Sequence, residues 1–364
     1  MNIVFIGNYN KSEVLTGPEK VAKRIFDEYI KTDKAVFLEY FQDGNTYNLS
    51  KKIFGKEIIR QTENGLILRV GVVQLFMQLI KLKPQIVHIL TFERFAKLTF
   101  SLKRFLKFKV IFNLHGIVYY ENTELNIVEN SLSKKNYKAE KIFLNCSDVI
   151  LYLSEFYLEI GKKFYELKSE KLVKIKNGVD EMFHRKESRT TYNKVLKVVF
   201  SGDIKRKDKG YNFLKEALRR TNVRIELYII GSRKYDEYIS DNIDLIFAGF
   251  LNADELSTFY KNKDIFISAS LYDTFSIASA EAMSSGLTLI ATDTTGISEF
   301  IEDGVNGFII KYGDVNRLSE IISKLNTDRN LKKSISLNGE RIYNELNWSE
   351  VIKDYKLVYK NILT

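Results

Sequence analysis

The sequence predicts an α/β protein built from two successive parallel-sheet domains. Three observations carry that prediction: short apolar runs alternate with longer amphipathic stretches, the alternation restarts midway, and 364 residues exceed what one hydrophobic core ordinarily supports. The first series runs NIVFIG, a helix near residues 18 to 32, AVFLEYF, GVVQLFMQLIKLK, QIVHIL, KVIFNLHG and VILYLS. Such alternation reads as right-handed βαβ units around a parallel sheet. After IKNGVD and a polar stretch from Arg185 to Lys194, a second series runs KVVFSG, IELYIIG, LIFAGF, DIFISAS, TLIAT and GFII. Residues 1–185 and 186–348 are therefore expected as the two domains. The tail, about 349–364, carries Val351, Ile352, Tyr355, Val358, Tyr359 and Ile362 at helical spacing, so one face must be covered, though periodicity does not say by which domain. Ligands of open parallel sheets bind beyond the carboxyl ends of the strands, which places the expected site in a cleft between the domains.

Composition narrows the class. A hydrophobic fraction of 45%, only 2 prolines and no Gly/Ser-rich tract describe a chain that folds throughout. The single cysteine, Cys146, rules out an intramolecular disulfide and argues against a cysteine metal cage, and MNIVFIGN reads as a strand rather than a signal peptide. Both point to the cytoplasm. No apolar run reaches the ~20 residues that span a bilayer, so membrane contact would be peripheral. The formal charge of +10 fits an anionic partner and equally a solubilising surface.

The sharpest constellation is LYDTFSIASAEAMSSG, where Asp273 follows a strand, Glu281 falls in the next helix and Gly286 ends it. With a helix starting at once, eight residues separate the two carboxylates by roughly 12 Å along the axis, about the reach from the sugar to the ribose of a nucleotide sugar. Backbone amides of Thr274, Phe275 and Ser276 open that helix and can meet sugar hydroxyls or phosphate. The bland alternative makes Asp273 a helix cap and Glu281 half of an ion pair. In SGDIKRKDKGY, Lys205, Arg206, Lys207 and Lys209 crowd before Gly210, and Lys209 is the first choice to hold a diphosphate, with Lys205 or Arg206 second. Walker spacing is absent. Gly17 in TGPEKV would let backbone approach a ligand closely. His115, in NLHG, stands at a strand's carboxyl end, whereas His88, in IVHIL, reads as core. Finally, residues 92–109 interleave Arg94, Lys97, Lys103, Arg104, Lys107 and Lys109 with Phe92, Phe95, Phe100, Phe105 and Phe108, a pattern suited to an anionic membrane surface or to a sheet-covering helix with a solvated face.

These residues resemble the GT-B glycosyltransferases of family 4, the glycosyl transferases group 1, over nearly the whole chain. The likeness is strongest from GFLNADELSTFY through DTFSIASAEAMSSG to GVNGFII, and IKNGVDEMF and DKGYNFL are similar to the family's interdomain Asn-Gly-Val-Asp turn and Lys-Gly turn. The resemblance implies two facing Rossmann-like domains and retaining transfer from a nucleotide sugar with no metal and no other cofactor. It also implies that the last helix crosses back to the first domain. By position, Glu281 would bind the ribose, Asp273 would take the place of the first glutamate of the Glu-x7-Glu pair, and Lys209 with Lys205 or Arg206 would hold the diphosphate. Backbone at Thr274, Phe275 and Ser276 would read the sugar, His115 would face it from the first domain, Gly17 would lie near the phosphates, and Gly231 and Phe250 would frame the base. The chain departs from the family in Asp for Glu at 273, Asp203 where arginine is common, and Thr16 where a second glycine is usual.

The expected activity is thus transfer from a nucleoside diphosphate sugar, a UDP-sugar favoured, to a glycan or lipid-linked glycan precursor. A nucleotide-sugar-binding module, an epimerase and a phosphorylase share the architecture. Nucleic acid is not an expected partner, because no binding motif or stacking platform accompanies the charge.

Overall fold

The computed structural model describes residues 1–9, 17–41, 49–125, 130–185 and 195–364. The chain divides into two compact units. One comprises Met1–Leu153, Leu158–Asn177 and Trp348–Thr364, the other Ser154–Tyr157 and Gly178–Asn347. The change of unit falls inside IKNGVD, between Asn177 and Gly178, rather than at 185/186; residues 186–194 of the charged connector, and Thr16, lie outside the described residues.

The first unit holds β1 Ile3–Ile6, β2 Ala35–Tyr40, β3 Lys56–Gln61, β4 Gly65–Val70, β5 Ile86–Ile89, β6 Lys109–Asn113, β7 Val149–Tyr152 and β8 Leu172–Lys174. They form one sheet in the order β3-β4-β2-β1-β5-β6-β7-β8, parallel except for the β3–β4 hairpin. Its central strands β1 and β5 are buried along their whole length, which is why they read as apolar runs, broken only by His88 in β5. GVVQLFMQLIKLK, by contrast, is the helix Val72–Leu82, ended by Lys83 in the left-handed conformation ahead of Pro84.

The tail forms the helix Trp348–Asn361 and belongs to this first unit, against the helix Gly17–Tyr29. Its periodic residues Val351, Ile352, Tyr355, Val358 and Tyr359 are buried. A closed polar network pins it. The Tyr359 hydroxyl lies 2.8 Å from Nδ1 of His88, Nε2 of that ring lies 2.8 Å from Oδ1 of Asn113, and the Asn113 amide reaches the Tyr355 hydroxyl at 3.4 Å. His88 is a satisfied core residue, as its apolar strand implies.

The second unit holds β9 Leu196–Ser201, β10 Ile225–Ile230, β11 Ile243–Gly249, β12 Ile265–Ser268, β13 Thr288–Thr292 and β14 Phe308–Ile310. Every pairing is parallel, in the order β11-β10-β9-β12-β13-β14. The chain winds outward from β9 to β11 and then returns to the other side of β9 to lay down β12. Connections leaving β9 and β12 in opposite directions open a crevice beyond their carboxyl ends, the position where doubly wound sheets bind ligands.

Candidate functional site

A pocket of about 130 Å³ occupies that crevice, lined by Ser201 at the end of β9 and Gly202 after it, Ser268 at the end of β12, and Lys209, Asp273 and Ser276 from the loops. Two glycines shape it. Gly202 has φ of 139°, and a Cβ there would come within 2.9 Å of Lys209 Cγ, so the missing side chain is what lets the lysine lie across the turn. Gly210, at φ 72°, presses so closely on β12's exit that a Cβ would lie 1.8 Å from the Ala269 carbonyl oxygen. Together they bring Lys209 Nζ to 3.0 Å from Asp273 Oδ2.

Asp273 does two jobs at once. Its other oxygen, Oδ1, accepts from the backbone N–H of Phe275 at 3.3 Å and of Ser276 at 2.8 Å. The aspartate is therefore both the charge partner of Lys209 and the cap of the turn before the helix Ile277–Ser284. This corrects two expectations. The helix begins four residues after Asp273 because that residue is held in an extended bridge to Thr295, so the 12 Å axial separation from Glu281 does not apply. The amides of Phe275 and Ser276 are occupied, and the N–H groups that open the helix without an intrahelical acceptor belong to Ile277 and Ala278, both of which line the pocket. Thr274 instead offers its carbonyl to Ser154 Oγ at 3.0 Å, and Phe275 is buried edge-on against Phe300.

Ser276 sits at φ 70°, ψ 75°, a left-handed conformation that few residues other than glycine adopt, with its hydroxyl 2.6 Å from that of Ser279. Ser276→Val should therefore destabilise the chain by about 2–3 kcal/mol while Ser276→Gly costs under about 1 kcal/mol, as read by urea unfolding; equal losses would mean that the backbone is not held there.

The cationic loop separates rather than converges. Lys209 lines the pocket, but Arg206 forks onto the buried Asp208 through Nε at 3.0 Å and Nη2 at 2.6 Å, and Lys205 places its ammonium 4.3 Å from the centre of the Tyr235 ring. Alternating charge explains the sorting: Asp208, inserted among the cations, claims the nearest guanidinium. Glu281 is 7% exposed on the helix that Asp273 precedes, and its charge adds to the desolvation that pushes the buried Tyr260 phenol up. Gly231, at φ 73°, follows β10 with a Cβ position open except toward Gly202's backbone, and Phe250, 61% exposed, follows β11. Both stand at strand carboxyl ends on the β9–β11 flank.

In the first unit, His115 follows β6, and its Nε2 lies 2.8 Å from the Leu90 carbonyl oxygen. An oxygen acceptor there fixes the N–H on Nε2 and leaves Nδ1 as the acceptor. Burial pushes the imidazole down to about 4, opposed by that hydrogen bond, so it is neutral at pH 7. Gly17 is the first residue of the helix Gly17–Tyr29. Sequence reasoning missed Gly202, whose signal was its place directly after a strand, and a polar cluster beyond β1 and β5. There the Asn8 amide donates to Glu93 at 2.5 Å and to Glu19 at 3.4 Å. The 92–109 segment is a 3₁₀ turn Arg94–Leu98 followed by the helix Thr99–Leu106, and four of its phenylalanines turn inward. Phe92 and Phe100 meet Phe143, Phe95 stacks on Tyr40, Phe108 is buried, and Phe105 alone of the five stands 80% exposed.

Comparison with known proteins extends these observations. Residues 182–342 match the family model described as glycosyl transferases group 1, and residues 52–182 match that of glycosyltransferase family 4. Over 268 residues the chain is 24% identical to the capsular polysaccharide biosynthesis glycosyltransferase CapM of Staphylococcus aureus, covering 71% of this chain and 66% of that one. An uncharacterized glycosyltransferase of Methanocaldococcus jannaschii is 26% identical over 162 residues, 42% of each chain. Matches to both relatives thus span less than two thirds of their lengths. Among solved structures, the sucrose-phosphate synthase of Thermosynechococcus elongatus superposes with a TM-score of 0.77 at 14% identity, covering 99% of this chain and 98% of that one. HepE of Anabaena in complex with UDP superposes at 0.74 and 17% identity, covering 99% and 100%.

Proposed function

The chain belongs to the group 1 glycosyltransferases and has their two parallel-sheet α/β units, and we propose that it moves a sugar from a nucleoside diphosphate donor to a hydroxyl of a glycan or lipid-linked glycan precursor, with retention and without a metal ion. One observation carries the reading: a lysine, a carboxylate and the amides that open a helix meet in the crevice where the winding order of the β9–β14 sheet reverses. A UDP-sugar is the favoured donor, supported by HepE structures containing UDP and UDP-glucose. The name of CapM supports a polysaccharide or its precursor as acceptor. A lipid-linked acceptor would be met from the cytoplasm at a membrane surface.

In this reading the diphosphate lies against Lys209 Nζ and the N–H groups of Ile277 and Ala278. An ammonium has three N–H donors, so Lys209 can keep Asp273 and still hold phosphate oxygens. As the bond from the sugar's anomeric carbon to phosphate oxygen breaks, charge builds on the leaving diphosphate, where the lysine and the helix dipole stabilise it. The acceptor hydroxyl attacks from the same face, its oxygen bonds to the anomeric carbon, and its proton passes to the departing phosphate. Asp273 and His115 Nδ1 accept hydrogen bonds from the sugar, Thr274, Phe275 and Ser276 shape its pocket, and Glu281 takes the ribose hydroxyls. Gly231 and Phe250 frame the base, Gly17 lies near the phosphates, and Lys205 supplies flanking positive charge, whereas Arg206 is neutralised by Asp208.

A panel of nucleoside diphosphate sugars, screened in EDTA by thermal unfolding, tests this. A cognate donor at a hundredfold its Kd adds about 2.7 kcal/mol of stability, and transfer or slow donor hydrolysis should persist without metal. A panel in which nothing raises the midpoint would sink the donor reading, and activity that returns only with added metal would sink the metal-free mechanism.

A further inference from the structure

The 72–109 stretch carries eight lysines and arginines against one acid, Glu93, in a chain whose formal charge is +10. It builds two neighbouring helices of the first unit, Val72–Leu82 and Thr99–Leu106. Each carries large apolar side chains exposed to solvent: Met77 and Ile80, 52% and 51% exposed and one turn apart on the first, and Phe105, 80% exposed, on the second. On the residues that flank Phe105 in sequence opens a cavity of about 560 Å³ walled by Lys103, Arg104, Lys107, Lys109 and Lys171.

The cations around it divide by task. Lys103 pairs with Asp148 at 2.8 Å and donates to the Cys146 carbonyl, and Lys171 donates to the carbonyls of Asn145 and Ser147. These two close the C-terminal end of the helix Asn130–Cys146, whose carbonyls would otherwise repel an anion. Arg104, Lys107 and Lys109 are exposed and form no ion pair among the described residues. Three uncommitted cations around an open cavity, next to an exposed phenylalanine, match a phosphate headgroup with acyl chains beside it.

We propose that the face formed by these two helices docks on an anionic bilayer, with Phe105, Met77 and Ile80 entering the interface and Arg104, Lys107 and Lys109 gathering lipid phosphates. The idea rests on the reading of the acceptor as lipid-linked, which gives the contact its purpose. The exposed aliphatic side chains of Met77 and Ile80 favour a bilayer over nucleic acid, whose bases could stack on Phe105 but gain little from aliphatic groups.

The full chain is to be sedimented with vesicles of phosphatidylcholine alone and of phosphatidylcholine mixed with phosphatidylglycerol, at low and physiological salt. Binding should require the anionic lipid and weaken with salt. The double reversal Arg104→Glu, Lys107→Glu should lower the partition coefficient by ~10-fold or more and Phe105→Ser by several-fold. Both variants should keep the thermal response to nucleotide sugars, because none of the three residues belongs to the donor pocket. Equal binding to neutral vesicles, unchanged binding by the double variant, or binding of an oligonucleotide but no vesicle would overturn the docking face. A chain that binds vesicles but no nucleotide sugar would instead leave the face standing and overturn the donor site.

Discussion

Replacing Lys209 by alanine is expected to cut turnover by ~10²–10³-fold, the loss seen when one preorganised donor is taken from developing charge. KM should change less, because the interaction strengthens as the diphosphate leaves. The fold should tolerate the change: the Lys209–Asp273 pair is about one-fifth exposed on each side, and such pairs contribute on the order of 1 kcal/mol or less. Asp273→Asn is the informative companion. An asparagine oxygen can still accept from Phe275 and Ser276, but it no longer shares the lysine's charge, so a bare nucleoside diphosphate should bind as tightly as before or more tightly while sugar transfer falls. Steady-state kinetics and calorimetry with the nucleoside diphosphate separate these effects. Near-normal turnover in Lys209→Ala would remove that residue from the phosphate site.

Much of this was legible in the residues because it rests on local rules. Each run from KVVFSG to GFII became a strand of the second sheet, since buried parallel strands must be apolar on both faces. Gly286 ends its helix at φ 79°, as a glycine after alternating small residues suggests. What stayed hidden depends on which group wins a competition among neighbours. Four cations precede Gly210, and only the fold shows that Asp208 engages Arg206 and leaves Lys209 for Asp273. The amides of residues 275 and 276 looked free because nothing in the order of residues says that an aspartate will fold back on them. The β3–β4 hairpin, by contrast, does have a local signal, Asn64-Gly65 in KEIIRQTENGLILRV; its strands are joined by a turn in which the Thr62 N–H donates to the Gly65 carbonyl and the Gly65 N–H to the Thr62 hydroxyl.

Acid should destabilise the chain well before its carboxylates protonate. Burial pushes His88 down to about 3 and His115 down to about 4, against an unfolded value near 6.5. The folded state therefore refuses protons that the unfolded chain accepts, so the stability these residues contribute is complete above about pH 6.5 and is lost as pH falls toward their folded values. At 1.36 kcal/mol per unit, lowering the pH from about 6.5 to 5 costs up to about 2 kcal/mol for each histidine. Inside the first unit His88 has no room to escape. Its Nδ1 accepts the Tyr359 hydroxyl, its Nε2–H meets Asn113, and the rings of Phe5, Tyr355 and Tyr359 surround it, so protonation would put a cation in an aromatic core and force Tyr359 to give up its acceptor. Glu140, whose carboxyl burial pushes up, works in the opposite direction and blunts the net slope. Comparison with His88→Gln isolates the term: urea midpoints between about pH 7.5 and 5 should fall steeply for the native chain and more shallowly, by close to one proton, for the variant. If both lines run parallel, the imidazole is charged in the folded state and the network that holds the last helix must be ordered differently.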